Sequence, residues 1–202
     1  MGAIWGCGKP PMVPAEGVGF FIDAPQEQGE AALPQIFHLT MELPSILDSA
    51  GQGEYKPLDS PPSEARRLNL REIVLQPVGA HEEERFQALM EAHHYLGALP
   101  KIGHALWYVA TWNGQWLALL SFSAAAWKCA ARDAWIGWDF RHQYDRLHLV
   151  ANNSRFLILP EYHVPNLASR VLALSERRLV QDWRERFGYP LLLLETFVDP
   201  RR

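Results

Sequence analysis

The sequence has few cysteines and no long apolar run, and each absence excludes a class of protein. Its two cysteines, Cys7 and Cys129, provide neither a disulfide framework nor a zinc site. No uninterrupted apolar run reaches the length of a membrane span. The N-terminus lacks the basic segment followed by an apolar one that a signal peptide needs. We therefore expect a cytoplasmic protein that does not engage a membrane.

The motifs of several common enzyme classes are also missing. The sequence contains no Gly-x-Gly-x-x-Gly, no Walker motif and no Gly-x-Ser-x-Gly. Metal-binding histidine pairs on a helix are spaced four residues apart, whereas His93 and His94 are adjacent and point in different directions. We therefore expect no metal site, although one of these two histidines is a candidate acid or base. The motifs identify no cofactor and leave open whether the chain is an enzyme.

Proline and charge divide the chain into two parts. Ten of the fifteen prolines lie before residue 81, and residues 1–80 carry a net charge of −5. Residues 141–202 carry a net charge of +3. The Pro-rich stretches show no helical or strand period, so we predict an irregular or disordered region over residues 1–65, with one short helix in PQIFHLTMELPSIL. A folded domain is predicted over residues 66–202.

Regular patterns begin near residue 68. Asn113-Gly114 between two apolar runs predicts a tight hairpin, because its turn needs positive φ angles. Asn166 and Gly188 are suitable residues for the two ends of a long helix. The predicted elements are a strand in LNLREIVLQPV, a helix from Glu82 to His93, paired strands over Ala105–Trp112 and Gln115–Ser123, a short helix in AAAWKCAARDAWIGW, strands near 146–151 and 155–160, a helix over Leu167–Phe187 and a strand over Leu191–Val198. This order predicts an α/β fold with a mixed, largely antiparallel sheet and flanking helices.

Polar residues interrupt two of the predicted strands. Asn152-Asn153-Ser154-Arg155 separates two apolar runs, and such residues between buried strands must turn a corner or contact a ligand. We predict a corner in which Asn152 and Asn153 satisfy backbone groups and Arg155 points toward Glu195 or a ligand. Asn166, which precedes the long helix, is a further candidate for a ligand or corner contact.

Glu195 lies within a strongly apolar strand, and a buried carboxylate needs a partner. Pairing with Arg155 and pairing with Arg132 are both open, and Arg132-Asp133 is predicted to form a local ion pair or a cap. The candidate catalytic residues are Glu195, His94, Arg155 and Asp133.

Arginines and tryptophans offer a possible nucleic-acid surface. Arg170, Arg177 and Arg184 recur at heptad spacing on the long helix and so lie on one face, which suits phosphate groups. Six tryptophans between residues 107 and 138 have the chemistry to stack on bases. A solvated helix face and ordinary core packing are the alternative interpretations of these two patterns.

Several blocks resemble one protein family. HHYLG (93–97), FSAAAWKCAARDAWIGW (122–138), NNSRFLILP (152–160), NLASRVL (166–172), DW (182–183) and ETFVDP (195–200) are similar to the signature blocks of the DruA family of Druantia anti-phage defence systems. This domain, long catalogued as one of unknown function, also occurs in transposase-associated bacterial proteins. The resemblance covers residues 68–202. Members of this family typically continue past the last block, which implies that this chain is truncated and that the strand Leu191–Val198 is left with an unpaired edge or a bare apolar face.

The element order also resembles GCN5-related acetyltransferases, in which the N-terminus of a helix binds the pyrophosphate of acetyl-coenzyme A. The segment RFLILPEYHVPNLASRVLALSERRL followed by GYPLLLLETFV has that layout. Its loop is not Gly-rich, and Pro165 has no N–H to donate. Three functions therefore stay open. The chain acts on DNA or with a nucleic-acid-processing enzyme in defence or mobile elements, it is an acyltransferase-like enzyme using coenzyme A, or it is a non-catalytic module or inactive remnant.

Overall fold

The computed structural model describes residues 37–42, as backbone alone, and residues 68–198. Within these ranges the chain forms one six-stranded sheet with the strand order β1-β6-β5-β4-β3-β2. The strands are β1 (Phe37–Glu42), β2 (Val74–Pro77), β3 (Ala105–Trp112), β4 (Gln115–Ala124), β5 (Val150–Ile158) and β6 (Leu193–Val198). The α-helices are α1 (Glu83–His93), α2 (Ala130–Ile136), α3 (Phe140–Arg146) and α4 (Leu167–Phe187). No helix of the described part is long and apolar enough to cross a membrane.

The strand pairings confirm the predicted fold class. The three junctions from β2 to β5 are antiparallel, whereas β6 runs parallel to both β5 and β1. The β3–β4 hairpin turns at Asn113 (φ 49°) and Gly114 (φ 76°), as the sequence predicts. The long helix α4 also has its predicted bounds and ends at Gly188, whose φ is 82°.

The strand β1 corrects two predictions. The short helix predicted in PQIFHLTMELPSIL is wrong, because Phe37–Glu42 forms a strand there. This strand pairs with β6 in continuous parallel register, from Phe37 opposite Leu193 to Glu42 opposite Val198. The expected bare edge of β6 is therefore also wrong, since β5 pairs on its other side. The remaining residues of the 1–65 region lie outside the described part of the chain.

Helices cover both faces of the sheet. On one face, α4 packs its buried Val171, Leu179 and Trp183 against Leu120 and Leu194. On the other face, two separate helical layers cover two separate apolar clusters. The first contains α1, with Phe86 and Met90 over Trp107, Val109 and Leu119, and the second contains α2, with Ala131 and Trp135 over Val150 and Leu193. Between these two clusters the face that carries α1 and α2 is polar.

A β-bulge in β5 corrects the predicted corner. Residues 150–158 form one strand, not two strands separated by a corner at 152–155. Arg155 pairs with Ser121 and Asn153 pairs with Phe122, so Ser154 is an extra residue without a counterpart in β4. Side chains alternate between the two faces along a strand, and one extra residue reverses that alternation. The bulge therefore places Asn152 and Arg155 on the same face, the face that carries α1 and α2.

Candidate functional site

The polar centre of the sheet, as we call Arg132, Asp133, Asn152, Arg155 and Glu195, lies between α1 and α2. Glu195 comes from β6, Asn152 and Arg155 come from β5, and Arg132 and Asp133 come from the first turn of α2. Asn152 stands directly opposite Glu195 in the parallel register of β5 and β6. The topology thus brings together on one face four of the residues that the sequence singled out, along with Arg132.

Arg132 is the buried partner of Glu195. Its Nη1 lies 3.3 and 3.2 Å from the two carboxylate oxygens, and both side chains are 0% exposed. Arg132 Nη1 also donates to the carbonyl of Ala126, and its Nε donates to Asp133 Oδ1 at 3.0 Å. Burial raises the pKa of Glu195, and the charge of Arg132 acts against that rise. The predicted pairing with Arg132 and the predicted Arg132–Asp133 ion pair are both present in the structure.

Some polar atoms near this pair have no partner. Arg132 Nη2, Asn152 Oδ1 and Asn153 Oδ1 are buried without a hydrogen bond within the described residues. The prediction that both asparagines satisfy backbone groups is therefore wrong for their side-chain oxygens. Unpaired buried atoms are costly, and proteins retain them mainly where water, a ligand or strain accounts for them.

Arg155 binds the loop after α1 and not Glu195. It donates to the carbonyls of Ser154 at 2.7 Å, Gly97 at 3.1 Å and Leu96 at 3.4 Å. The predicted orientation toward Glu195 is wrong, because Glu195 stands opposite Asn152, whereas Arg155 is three residues further along β5 and its guanidinium is bonded to carbonyls of the loop after α1. Arg155 instead ties the residues that follow α1 to β5.

His94 lies beside Arg155 at the end of α1. Burial, together with the charge of Arg155, lowers the pKa of His94 to about 4. Its Nδ1 accepts the N–H of Leu96 at 3.1 Å, and its ring stacks on Tyr95. A neutral imidazole with a lowered pKa, whose acceptor nitrogen is already occupied, is poorly suited to take up a proton at neutral pH. The candidate catalytic residues thus form two groups on one face, His94 with Arg155 and Asp133 with Glu195. Within the described residues, no group of three His, Cys, Asp or Glu could hold a metal ion.

The polar centre holds an exposed aromatic surface in place. The α3 aromatic surface consists of Trp127, Phe140 and Tyr144, whose exposures are 47%, 72% and 66%. Trp127 meets Tyr144 edge to face at a centroid distance of 5.7 Å. Gln143 is the buried residue of α3, and it donates to the carbonyl of Trp127 and to Asp133 Oδ2. A chain of polar contacts therefore runs from Glu195 to the aromatic surface.

Charged groups surround the α3 aromatic surface. Lys128, Arg141 and Arg146 are exposed, and no acid of the described residues pairs with them. Asp139 caps α3 by accepting the N–H of His142 at 2.8 Å and also pairs with the His142 ring. These bonds lower the pKa of Asp139, and the hydrogen bond from the backbone N–H of His142 contributes most. The surface thus combines exposed rings with three uncommitted cations, beside one unpaired acid, Asp145.

Sequence reasoning missed α3 and with it Phe140 and Tyr144. The signal was present, because Asp139 is a good N-cap and the two rings are four residues apart in FRHQYDR. Of the six tryptophans considered for base stacking, Trp107 and Trp116 are buried in the core. Lys101 and Arg85 lie over their rings at 4.4 and 4.2 Å. Trp127 is the exposed one.

The α4 arginines are not equivalent. Arg170 is half-buried and donates to the carbonyl of Leu70 at 3.1 Å, whereas Arg177 and Arg184 are exposed. Asn166 occupies the N-cap position, as predicted, with a φ of 64°, although its side chain makes no capping hydrogen bond. At the same helix end, the N–H of Leu167 is already bonded to the carbonyl of Val164. Binding of coenzyme A at this end stays a prediction.

Comparison with known proteins identifies the family. The family model of Druantia protein DruA matches residues 54–202. The chain belongs to the DruA family. Among solved structures, AAC(6')-Iy in complex with the bisubstrate analog CoA-S-monomethyl-acetylneamine aligns with a TM-score of 0.42 and 13% identity, over 64% of this chain and 82% of that chain. A likeness this distant carries no conclusion about the activity of this DruA-family protein. No curated protein matches it in sequence.

Proposed function

We propose that this DruA-family protein serves phage defence by binding single-stranded nucleic acid on its α3 aromatic surface. The observation that carries the proposal is the joint exposure of Phe140 and Tyr144 on α3 and of Trp127 in the segment to which Gln143 of α3 is bonded. Single strands expose the faces of their bases, and aromatic side chains stack on those faces with little regard to sequence. In a duplex the same faces are hidden by stacking within the helix.

The arrangement differs from the scattered apolar exposure of ordinary surfaces. Other exposed large apolar side chains of the described residues include Val74, Ile102 and Leu192, which come from separate segments. Single exposed residues of that kind need no explanation, whereas a contiguous patch indicates an interaction site. The three aromatic rings of the α3 aromatic surface form a contiguous patch.

Charge favours a polyanion over an apolar protein partner. Lys128 is adjacent to Trp127, and Arg141 and Arg146 are on the same short helix as the two other rings. Cations beside stacking rings bind the phosphate backbone and release its counterions, so binding weakens as salt rises. Cooperation with a nucleic-acid-processing enzyme stays a prediction beside this one.

A binding titration with matched variants tests the proposal. Fluorescence anisotropy with a labelled single strand and the corresponding duplex, at two salt concentrations, should show tighter binding of the single strand. Phe140→Leu with Tyr144→Leu keeps apolar area but removes both rings, and should weaken binding by roughly tenfold or more. Tyr144→Phe keeps the ring and should bind normally, as should Val74→Ala at a distant exposed site. Equal affinity of the leucine variant and the wild type would exclude stacking on this surface.

A further inference from the structure

Tyr189 lies where three segments of the chain meet at one end of the sheet. It follows α4, while His104 immediately precedes β3 and His148 is in the short 3-10 turn before β5. The Tyr189 hydroxyl is hydrogen-bonded to Nδ1 of His104. The ring of His148 approaches Tyr189 edge-on at a centroid distance of 5.1 Å. Both histidines are exposed, so Tyr189 contacts two imidazoles that reach solvent, His104 through its hydroxyl and His148 through its ring.

The imidazole of His104 is held in a defined orientation. It stacks on Phe187 with centroids 4.3 Å apart and planes 16° from parallel. Phe187 in turn packs edge-on against the buried Trp183 at 4.7 Å. A nucleophilic side chain hydrogen-bonded to a base, with that base oriented by a third group, is the arrangement that nucleophilic catalysis requires.

An open groove borders this cluster. It has a volume of about 670 Å³, and its lining includes Gly103, Ala105 and Phe187, which flank His104 in sequence or stack on it. Two of the three acids of the groove are paired with cations, Glu83 with Lys101 and Asp182 with Arg178, and the third, Glu185, accepts a hydrogen bond from Gln181. Arg186, which also lines the groove, has no partner among the described residues. The groove therefore offers an uncommitted cation beside the cluster, which suits a phosphate group.

We propose that Tyr189 is the nucleophile of a phosphodiester transfer reaction, with His104 as its general base and His148 as the general acid. The proposal takes its substrate class, nucleic acid, from the function proposed above, but it concerns a separate site. In the step, Tyr189 Oη attacks the phosphorus and its proton passes to His104 Nδ1. A phosphotyrosyl bond forms as the bond to one ester oxygen breaks, and protonated His148 gives its proton to that oxygen. The phosphate stays a diester with one negative charge, so atoms and charge balance.

The Tyr189 hydroxyl needs His104 to accept its proton if it is to act as a nucleophile at neutral pH. Burial raises the pKa of Tyr189, so the free tyrosinate is scarce and the proton must leave as the attack proceeds. The hydrogen bond to His104 supplies the path for that proton.

Covalent trapping of the full chain tests this assignment. The substrates are labelled single-stranded oligonucleotides with one bridging phosphorothiolate, on either the 5′ or the 3′ side. Their leaving group is a thiolate, which attacks the phosphotyrosyl bond only slowly, so the adduct accumulates. We expect a labelled adduct that survives denaturing electrophoresis and maps to a Tyr189 peptide. Tyr189→Phe should abolish the adduct, and His104→Asn should slow its formation on the order of a hundredfold. Tyr162→Phe, which removes another hydrogen-bonded tyrosine hydroxyl, should leave adduct formation unchanged.

Two outcomes overturn the assignment in different ways. An adduct that persists in Tyr189→Phe, or no adduct from a wild-type chain that binds the oligonucleotide by anisotropy, removes Tyr189 as nucleophile and leaves the proposed function intact. Absence of both adduct and binding removes the two proposals together.

Discussion

Arg132 Nη1 lies within 3.3 Å of both carboxylate oxygens of Glu195, and neither side chain reaches solvent. The pair joins the short helix α2 to the strand β6, which is 63 residues further along the chain. Asp133 and Gln143 extend the contact to α3. The position of the exposed rings therefore depends on a carboxylate buried in the sheet, and Glu195 is best regarded as a positioning residue.

Removing either member of this pair should destabilise the protein. Arg132→Ala leaves the buried carboxylate of Glu195 without a cation, which costs about 3–5 kcal/mol of unfolding free energy, whereas Glu195→Ala leaves Arg132 paired with Asp133 and should cost less. The double variant Arg132→Leu/Glu195→Leu should cost less than the sum, because neither charge of the Arg132–Glu195 pair stays behind and Asp133 is partly exposed. Urea denaturation followed by tryptophan fluorescence measures all three. Arg141→Ala, at an exposed position, should change the free energy by no more than about 0.5 kcal/mol. If the loss of unfolding free energy in the double variant equals the sum of the two single losses, Arg132 and Glu195 are not directly coupled.

The neutral form of His94 should make stability depend on pH. Its pKa in the folded chain, about 4, is below the ordinary histidine value of 6.5. A lowered folded-state pKa stabilises the protein above the unfolded pKa, and this stabilisation is lost as pH falls through the folded pKa. The free energy of unfolding should therefore decline between pH 6.5 and about 4. His94→Gln should reduce that decline, as denaturation at a series of pH values would show.

Arg155 contributes to the pKa of His94 and anchors the loop that follows α1. Arg155→Ala should raise the pKa of His94 toward its ordinary value, because one of the two causes of the shift is removed. Titration of the His94 ring by NMR measures this effect. A pKa unchanged by Arg155→Ala would mean that burial alone accounts for the shift.

We predict that the folded state depends on β1, because β1 pairs with the outer edge of β6. Deleting residues 1–43 removes a strand paired with β6 over six residues and leaves an unpaired edge, and exposed edges promote association. Deleting residues 1–36 keeps β1 and is the matched control. The shorter chain should melt at a lower temperature and elute as larger species in size-exclusion chromatography. Identical behaviour of the two deletion variants would show that β6 does not depend on β1.

The α4 arginines should separate into two roles. Arg177→Ala with Arg184→Ala removes two exposed cations and, if α4 contacts nucleic acid, should weaken binding evenly across sequences and flatten its salt dependence. Arg170→Ala should instead lower stability, because Arg170 holds the carbonyl of Leu70. Anisotropy and thermal melting measure the two effects. Unchanged affinity in the double variant would show that α4, which packs on the sheet face opposite α2, does not contact nucleic acid.

Local physics made several elements predictable from the sequence. The Asn113-Gly114 turn needs positive φ angles that these residues tolerate, so it could be placed without knowledge of the rest of the fold. The bounds of α4 follow from a long amphipathic pattern ended by Gly188. The need of Glu195 for a buried arginine followed from the cost of an unpaired buried charge.

Long-range contacts decided the rest. Residues 37–42 became a strand because β6 supplied its hydrogen-bonding edge, and no local pattern contains that partner. The polar run Asn152–Arg155 stayed within one strand because Ser154 bulges against β4, which placed Arg155 beside the α1 loop and left Arg132 to Glu195. Long-range contacts also bring His104, His148 and Tyr189 together, because these residues come from three segments that meet only in the folded sheet. A sequence records which side chains are available, whereas their meeting depends on the register and order of strands that are far apart in the chain.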